Sequence, residues 1–188
     1  MLSLGWLQEF KTANAPVYTP SNAPSNGRQQ RWIVPEAGWI KCNCDGAFLA
    51  STHRGGSGII LRNEHGIFQA AANKAYVQVT SPFHSELNAL LDGLRLAETL
   101  DLDRVLFETD CLMLIQALQQ QDLDLSNMGS IIAEMKDLLS KHAEFRIAHV
   151  YRVAHVLANQ ALHSSESQTW FVVAPSSIRD AILSDCNH

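Results

Sequence analysis

The first predicted strand covers residues 39–48, which read WIKCNCDGAF. A polar tip at residues 51–54 and a second strand at residues 55–62 follow it. Residues 63–66, Asn-Glu-His-Gly, are typical of a tight turn, and a third strand runs from residue 67 to about residue 77. Three strands joined by two short turns predict an antiparallel meander.

The hydrophobic period changes after this meander. Ser81 and Pro82 form a favourable helix start, with Ser as the N-cap and Pro at the first helical position. Apolar residues then recur at helical spacing as far as Leu100, which predicts a long amphipathic helix. These apolar residues are Phe83, Leu87, Leu90, Leu91 and Leu94.

Shorter elements complete the order β-β-β-α-β-α-α-β-α. The further strands are predicted at residues 105–107, ending in Glu108-Thr109-Asp110, and at residues 144–150. The further helices are predicted at residues 111–119, 126–141 and 153–163, with a last short one at residues 175–184. This order predicts an α/β fold with a five-stranded mixed sheet, in which the meander and two further strands are flanked by helices on both faces.

The composition is that of a protein with a packed core. The chain has 188 residues, of which 46% are hydrophobic and 18% charged, and its net charge is −5. No apolar run approaches the roughly 20 residues of a membrane span, and no secretory signal is recognisable, so we expect an intracellular protein. A pI near 5.9 argues against a strongly basic nucleic-acid binder. Any contact with nucleic acid must then depend on a local patch or on metal ions.

Three regions are predicted along the chain. Residues 1–31 contain Pro16, Pro20 and Pro24 among polar residues, which predicts a flexible N-terminal segment or linker. Residues 32–163 form the predicted domain, and residues 164–188 a C-terminal tail with a short helix.

The cysteines do not suggest a disulfide or a zinc site. Cys42 and Cys44 point to the same face of the first strand, where a bridge between them would be strained. No second close pair completes a zinc ligand set. We expect free, mostly buried thiols.

Three carboxylates occupy unusual positions in these elements. Asp45 lies inside the first strand, where Asp is unfavourable, and the alternative is an Asp-Gly hairpin turn. Glu86 lies on the helical stripe of Leu90 and Leu94, and the alternative is a first-turn acid that complements the helix dipole. Asp110 stands where a strand ends and a helix begins, as ligand-binding residues of α/β sheets do, and the alternative is a helix N-cap.

Together the three acids indicate chemistry on phosphodiesters. Carboxylates brought close repel, and raise each other's pKa unless a cation neutralises them. Hard oxygen ligands select Mg²⁺ or Mn²⁺. Two such ions about 4 Å apart can activate water, clamp a phosphate and stabilise the leaving oxygen.

Four segments carry a family resemblance. They read WIKCNCDGA at residues 39–47, GSGIILR at 56–62, SELNAL at 85–90 and FETD at 107–110. In this order they resemble the type 1 ribonuclease H domain, and most of all its plant reverse-transcriptase-like branch, over residues 32–163. The resemblance implies a ribonuclease H-like fold, RNA–DNA hybrid as the substrate class and a site for two Mg²⁺ or Mn²⁺ ions.

The resemblance also assigns residues to roles. It implies that Asp45, Glu86 and Asp110 are both catalytic and metal-binding. It further implies that Asn43 and the backbone near Gly46 contact the nucleic acid at a 2′-hydroxyl. Ser85 departs from the alanine that usually precedes the glutamate.

The last family motif, which commonly reads V-x-R-x-x-N-x-x-A-D/H-x-L-A and carries the fourth metal-binding position, is altered. Residues 150–159 read VYRVAHVLAN. An alignment with a deletion after Arg152 places His155 at this position, whereas an ungapped alignment places Asn159 there. His155 could hold a metal ion or relay protons, or be an ordinary helical histidine.

Competing functions follow from this departure. The leading hypothesis is endonucleolytic hydrolysis of the RNA strand of RNA–DNA hybrids by a two-metal mechanism. The alternative is a catalytically impaired nucleic-acid-binding module derived from a retroelement ribonuclease H, and a decayed mobile-element fragment comes third. No membrane and no obligate protein partner is inferred.

Overall fold

The structure is a computed structural model that describes residues 32–120, 128–150, 154–179 and 182. The predicted N-terminal segment, residues 1–31, lies outside the described residues, and so does the predicted start of the helix at residue 126. The division into three regions stays a prediction.

A mixed sheet forms the centre of the molecule, with the strand order β5-β4-β1-β2-β3-β6. The antiparallel meander β1-β2-β3 is confirmed, and β4 and β5 extend it in parallel beyond β1. The strands are β1 Ile40–Leu49, β2 Arg54–Arg62, β3 Phe68–Tyr76, β4 Val105–Thr109, β5 Phe145–His149 and β6 Gln168–Phe171.

The helices confirm the change of period after the meander. Ser81 caps the first helix by accepting a hydrogen bond from the backbone nitrogen of His84 at 3.1 Å, and Pro82 follows it as predicted. The described helices of the element order are α1 Pro82–Thr99, α2 Leu112–Gln119, α3 Gly129–Lys141 and α4 His155–Ser164. None of the described helices combines the length and apolarity needed to cross a lipid bilayer.

The sheet has six strands, not the five predicted. The additional strand, β6, pairs antiparallel with β3 and lies within the segment predicted as a tail. The strand has only four residues, of which the first two are polar, so the sequence shows no alternation of apolar and polar residues there. The strand forms because β3 otherwise leaves its outer edge unpaired, where a short segment can dock. Residues 176–179 are helical, in agreement with the short helix predicted there.

Each face of the sheet packs against a different helix. On the face of Cys42 and Cys44, α1 buries the larger core, and Gly93 approaches so closely that a Cβ there would lie 2.6 Å from Cys44 Sγ. On the other face, α4 packs Ala158 against Ala47. The predicted placement of Cys42 and Cys44 on one face of β1, and of helices on both faces of the sheet, is thereby confirmed.

The same arrangement opens a gap at one edge of β1. The parallel pairing of β1 with β4 ends at Asn43 and Glu108, whereas β1 continues along β2 as far as Leu49. The residues that follow this last pair are therefore free to face each other across a cleft.

Candidate active site

Three carboxylates from three separate elements meet at this cleft. Asp45 comes from the middle of β1, Glu86 from the first turns of α1, and Asp110 from the residue after β4. Each offers an oxygen, and these oxygens all lie within 4.8 Å of one another. The structure thus brings together the three acids that the sequence singled out.

Asp45 is a strand residue and not part of a hairpin turn. It pairs with Gly58 across β1 and β2, and it is 4% exposed. The turn that closes this hairpin lies beyond Leu49, so the alternative interpretation of Asp45 is wrong. The buried carboxylate has a partner on α4, where His155 Nδ1 lies 2.8 Å from Asp45 Oδ2.

Glu86 lies against β1 where the backbone of Gly46 closely approaches the backbone of α1. The backbone nitrogen of Gly46 donates to Glu86 Oε1 at 3.3 Å. A Cβ at position 46 would lie 2.6 Å from the backbone nitrogen of Glu86, so only glycine permits this approach. Ser85 adds an anchor by donating from Oγ to the carbonyl oxygen of Ala47 at 2.8 Å, a bond that the usual alanine could not make.

Asp110 forms the exposed wall of the site. The N-cap of α2 is Cys111, and no side chain caps this helix, so the N-cap interpretation of Asp110 is wrong. His149, at the end of β5, places Nε2 3.0 Å from the carbonyl oxygen of Asp110. The carboxylate therefore stands at the carboxyl end of β4 and is accessible from outside.

The electrostatics of the cleft disfavour negative charge in the absence of a cation. Burial, followed by the charges of Asp45 and Asp110, raises the pKa of Glu86 to about 8. Burial also raises the pKa of Asp45 to about 6, against the opposing effect of the hydrogen bond and charge of His155. The expectation that clustered acids raise each other's pKa holds for both groups, although desolvation contributes more than repulsion.

The donor set fits a divalent cation of the hard, oxygen-binding type. Glu86 Oε2 is buried and has no hydrogen-bond partner among the described residues. A buried oxygen without a partner is costly, and a cation in the cleft would satisfy it. Carboxylate oxygens are the ligands that Mg²⁺ and Mn²⁺ prefer.

His155, and not Asn159, reaches the acids in the altered last motif. Its side chain is 75% exposed while Nδ1 points to Asp45. Asn159 bonds back to its own helix, donating from Nδ2 to the carbonyl oxygen of His155 at 3.0 Å. The structure therefore distinguishes between the two alignments that the sequence left open. Residues 151–153 of the motif lie outside the described residues.

A family comparison agrees with this geometry. The family model described as reverse transcriptase-like matches residues 43–163, more than half of the chain. The chain belongs to this reverse transcriptase-like family. Its domain is ribonuclease H-like, and the resemblance seen in the sequence motifs is confirmed.

One curated relative of this reverse transcriptase-like chain is a plant protein. It comes from Arabidopsis thaliana, is named as a candidate ribonuclease H protein, and is 26% identical over 155 residues, which cover 82% of this chain. The chain spans 25% of the length of that relative.

Solved structures share the fold. The ribonuclease H1 of Halobacterium salinarum matches with a TM-score of 0.61 and 21% identity, over 67% of this chain and 98% of the other. A ribonuclease H1 called LC11, solved with an RNA/DNA hybrid, matches with a TM-score of 0.59 and 16% identity over 67% and 98%. A foamy viral protease-reverse transcriptase, solved with double-stranded DNA, matches with a TM-score of 0.57 and 14% identity over 70% and 99%.

The residues predicted to contact nucleic acid have partners inside this reverse transcriptase-like domain. Asn43 is 2% exposed and lies beneath Trp32, whose Nε1 donates to Asn43 Oδ1 at 2.9 Å. Gly46 donates its backbone nitrogen to Glu86. Their contact with a 2′-hydroxyl stays a prediction.

Sequence reasoning missed two polar clusters, one buried beneath the acids and one partly buried further along α1. One joins Lys41 and Glu108, whose Nζ and Oε1 lie 2.6 Å apart. The only sequence signal for it is the spacing of Glu108, two residues before Asp110 on the same strand face.

The second cluster surrounds Asp92 on α1. Ser57 Oγ donates to Asp92 Oδ2 at 2.7 Å, Lys74 Nζ lies 3.2 Å from Oδ1, and Tyr76 donates its hydroxyl as well. These bonds occupy both carboxylate oxygens of Asp92 and fasten α1 to β2 and β3. The helix that carries Glu86 is thereby anchored at a second point.

Proposed function

We propose that this chain is a metal-dependent endonuclease that hydrolyses the RNA strand of RNA–DNA hybrids. The observation that carries the proposal is the convergence of Asp45, Glu86 and Asp110, with ligand oxygens within 4.8 Å, in a ribonuclease H-like fold. The partnerless oxygen of Glu86 supports a cation in that cleft. The structure of LC11 ribonuclease H1 with an RNA/DNA hybrid supports the choice of substrate class.

The three acids would hold two ions, Mg²⁺ or Mn²⁺. When bound, such ions supply an activated water and stabilise the charge that develops on the phosphate and on the leaving oxygen. Asp45 and Glu86 concentrate negative charge in a partly desolvated cleft, which strengthens their attraction for cations. Asp110 lies on the open side, where a nucleic-acid backbone can approach.

The remaining residues orient the acids and the substrate. His155 fixes Asp45 Oδ2 through Nδ1, and its side chain is 75% exposed. Gly46 brings the backbone of β1 next to the acids, and its neighbourhood is the proposed contact for a 2′-hydroxyl. Asn43 could take part only if Trp32 moved away from it.

Cleavage of an RNA–DNA hybrid in Mn²⁺ tests the proposal. Asp45→Asn and Asp110→Asn each remove a ligand charge while keeping the side-chain shape, and we expect each to lower the cleavage rate at least about 100-fold. Glu134→Gln is the matched control, because Glu134 is exposed and pairs with Arg95 on the surface. Parent-like cleavage by both Asp variants would refute the assignment of the acids.

A catalytically impaired nucleic-acid-binding module, derived from a retroelement ribonuclease H, is the second candidate. The observation that favours it is the altered last motif, which offers no Asp or Glu and places His155 beside Asp45. This candidate predicts that calorimetry detects hybrid binding while the pure protein shows no turnover, and that His155→Asp restores turnover. Turnover by the pure parent protein would exclude it.

A further inference from the structure

A cross-strand hydrogen bond lies one pair below the acids. Asn43 and Glu108 are directly opposite each other on β1 and β4, and Asn43 Nδ2 donates to Glu108 Oε2 at 2.7 Å. Side chains two residues apart share a face of a strand, so Asn43 lies under Asp45 and Glu108 under Asp110. Both partners are buried, at 2% and 7% exposure.

The surroundings permit a single orientation of the Asn43 amide. Its Oδ1 accepts from Trp32 Nε1 at 2.9 Å and from an Arg62 guanidinium nitrogen at 2.8 Å. A flipped amide would direct its N–H groups at these two donors and its oxygen at the Glu108 carboxylate. Lys41 compensates the charge of Glu108 from the other side, at 2.6 Å.

The pairing of the two strands ends at the residue pair that this bond joins. The register of β1 with β4 ends at Asn43 and Glu108, and β4 itself ends at Thr109. Beyond this pair, β1 pairs with β2 among the described strands. The separation of Asp45 and Asp110 therefore depends on how tightly the last pair holds the strands together.

We propose that Asn43 and Glu108 are positioning residues that set the width of the cation cleft between Asp45 and Asp110. The inference rests on the proposed function of those acids as cation ligands. It also explains the buried Lys41–Glu108 pair, because Lys41 compensates the charge of Glu108 and orients its carboxylate toward Asn43. Charged hydrogen bonds of this kind are short and geometrically specific.

Binding of Mn²⁺ alone, followed by calorimetry, tests the inference. Asn43→Leu removes the bond at similar side-chain volume, and we expect Mn²⁺ affinity to fall about 10- to 100-fold, as for other residues that orient metal ligands. Val105→Ala is the control, since Val105 is fully buried at the opposite end of the same strand pair and its loss destabilises the protein without touching the last pair. Its Mn²⁺ affinity is expected to equal that of the parent.

The outcomes separate this inference from the proposed function. If the parent binds Mn²⁺ and folded Asn43→Leu binds it with an affinity within about twofold of the parent's, the positioning role is overturned while the metal site stands. A raised KM for hybrid with unchanged Mn²⁺ affinity would likewise overturn it, in favour of direct contact between Asn43 and nucleic acid.

If the parent binds no Mn²⁺, crystal structures of the metal-free parent and of Asn43→Leu test the positioning role instead. The proposed function then fails, and a wider Asp45–Asp110 separation in the variant still supports positioning, whereas an unchanged separation overturns it. If Asn43→Leu does not fold, Asn43→Ser replaces it in both measurements, because its hydroxyl can accept from Arg62 but is too short to reach Glu108.

Discussion

Glu86 shows what a single residue undergoes in this cleft. One of its oxygens accepts from the backbone of Gly46, and the other is buried with no partner in the part of the chain that the structure describes. Burial and two neighbouring carboxylates then oppose its ionisation and raise its pKa to about 8. A group in such surroundings destabilises the fold whenever it is charged and no cation is present, which is a common signature of a functional site.

The stability of the metal-free protein should therefore depend on pH through Glu86. Its pKa rises from 4.5 in ordinary surroundings to about 8 in the fold, so the folded protein retains a proton that the unfolded chain has released. Its contribution is neutral below about pH 4.5, becomes destabilising as the pH rises through this interval, and is largest above about pH 8. Glu86→Gln should stabilise the chelator-treated protein on the order of 3 kcal/mol at pH 8 and hardly at all near pH 4.

Thermal unfolding of parent and variant across this pH range measures the difference. Glu134→Gln provides the comparison, because Glu134 is an exposed acid whose loss should shift stability little at any pH. A stabilisation by Glu86→Gln that did not change with pH would contradict the assignment.

The contact between β1 and α1 decides where the Glu86 side chain lies. Gly46 lets the two backbones approach, and a Cβ there would lie 2.4 Å from the carbonyl carbon of Ser85. Backbone atoms cannot rotate away as a side chain can. The Ser81 cap and the bond from Ser85 to Ala47 hold the beginning of the helix in this position.

Gly46→Ala should push the start of α1 away from β1. We expect a loss of about 1–3 kcal/mol in unfolding free energy, together with a clear loss of Mn²⁺ affinity, because Glu86 moves with the helix. Gly93→Ala is the matched control on the same helix and strand. Its Cβ would lie 2.6 Å from Cys44 Sγ in the buried core, so this variant should also lose stability, but the clash lies about two helical turns from Glu86.

Denaturant unfolding and calorimetry with Mn²⁺ check both variants. Gly93→Ala should leave Mn²⁺ affinity unchanged. Gly46→Ala with the stability and the Mn²⁺ affinity of the parent would show that the close approach of β1 and α1 does not position the site.

At the scale of the whole molecule, hydrophobic clusters on opposite faces of the sheet support the site. The larger core, beneath α1, supports Glu86. The smaller core, beneath α4, contains Ile60, Ala71 and Leu157, with Trp170 of β6 packed against them. Because α4 carries His155, the sixth strand helps to support one wall of the cleft.

Trp170→Ala should destabilise the protein far more than Phe171→Ala. Trp170 packs against the smaller core, whereas its neighbour Phe171 points outward and is 52% exposed. In denaturant unfolding, we expect Trp170→Ala to lower the free energy of unfolding by about 2 kcal/mol more than Phe171→Ala does. Equal losses would mean that β6 contributes little to this core.

The sequence by itself determined the order and type of the elements from β1 to α4. Period-two alternation along β1 and helical spacing from Phe83 to Leu94 depend on neighbours close in the chain, so they can be read locally. The Ser81-Pro82 helix start is equally local, and the motifs around Asp45, Glu86 and Asp110 were sufficient to single out these three acids.

Only the tertiary structure decided what these residues face. It placed the three acids in one cleft, chose His155 over Asn159 as the neighbour of Asp45, added β6 and linked Asn43 to Glu108. Each of these outcomes joins segments that are distant in the chain. Such contacts follow from strand pairing and from helices packed on a sheet, and no local pattern of residues records them.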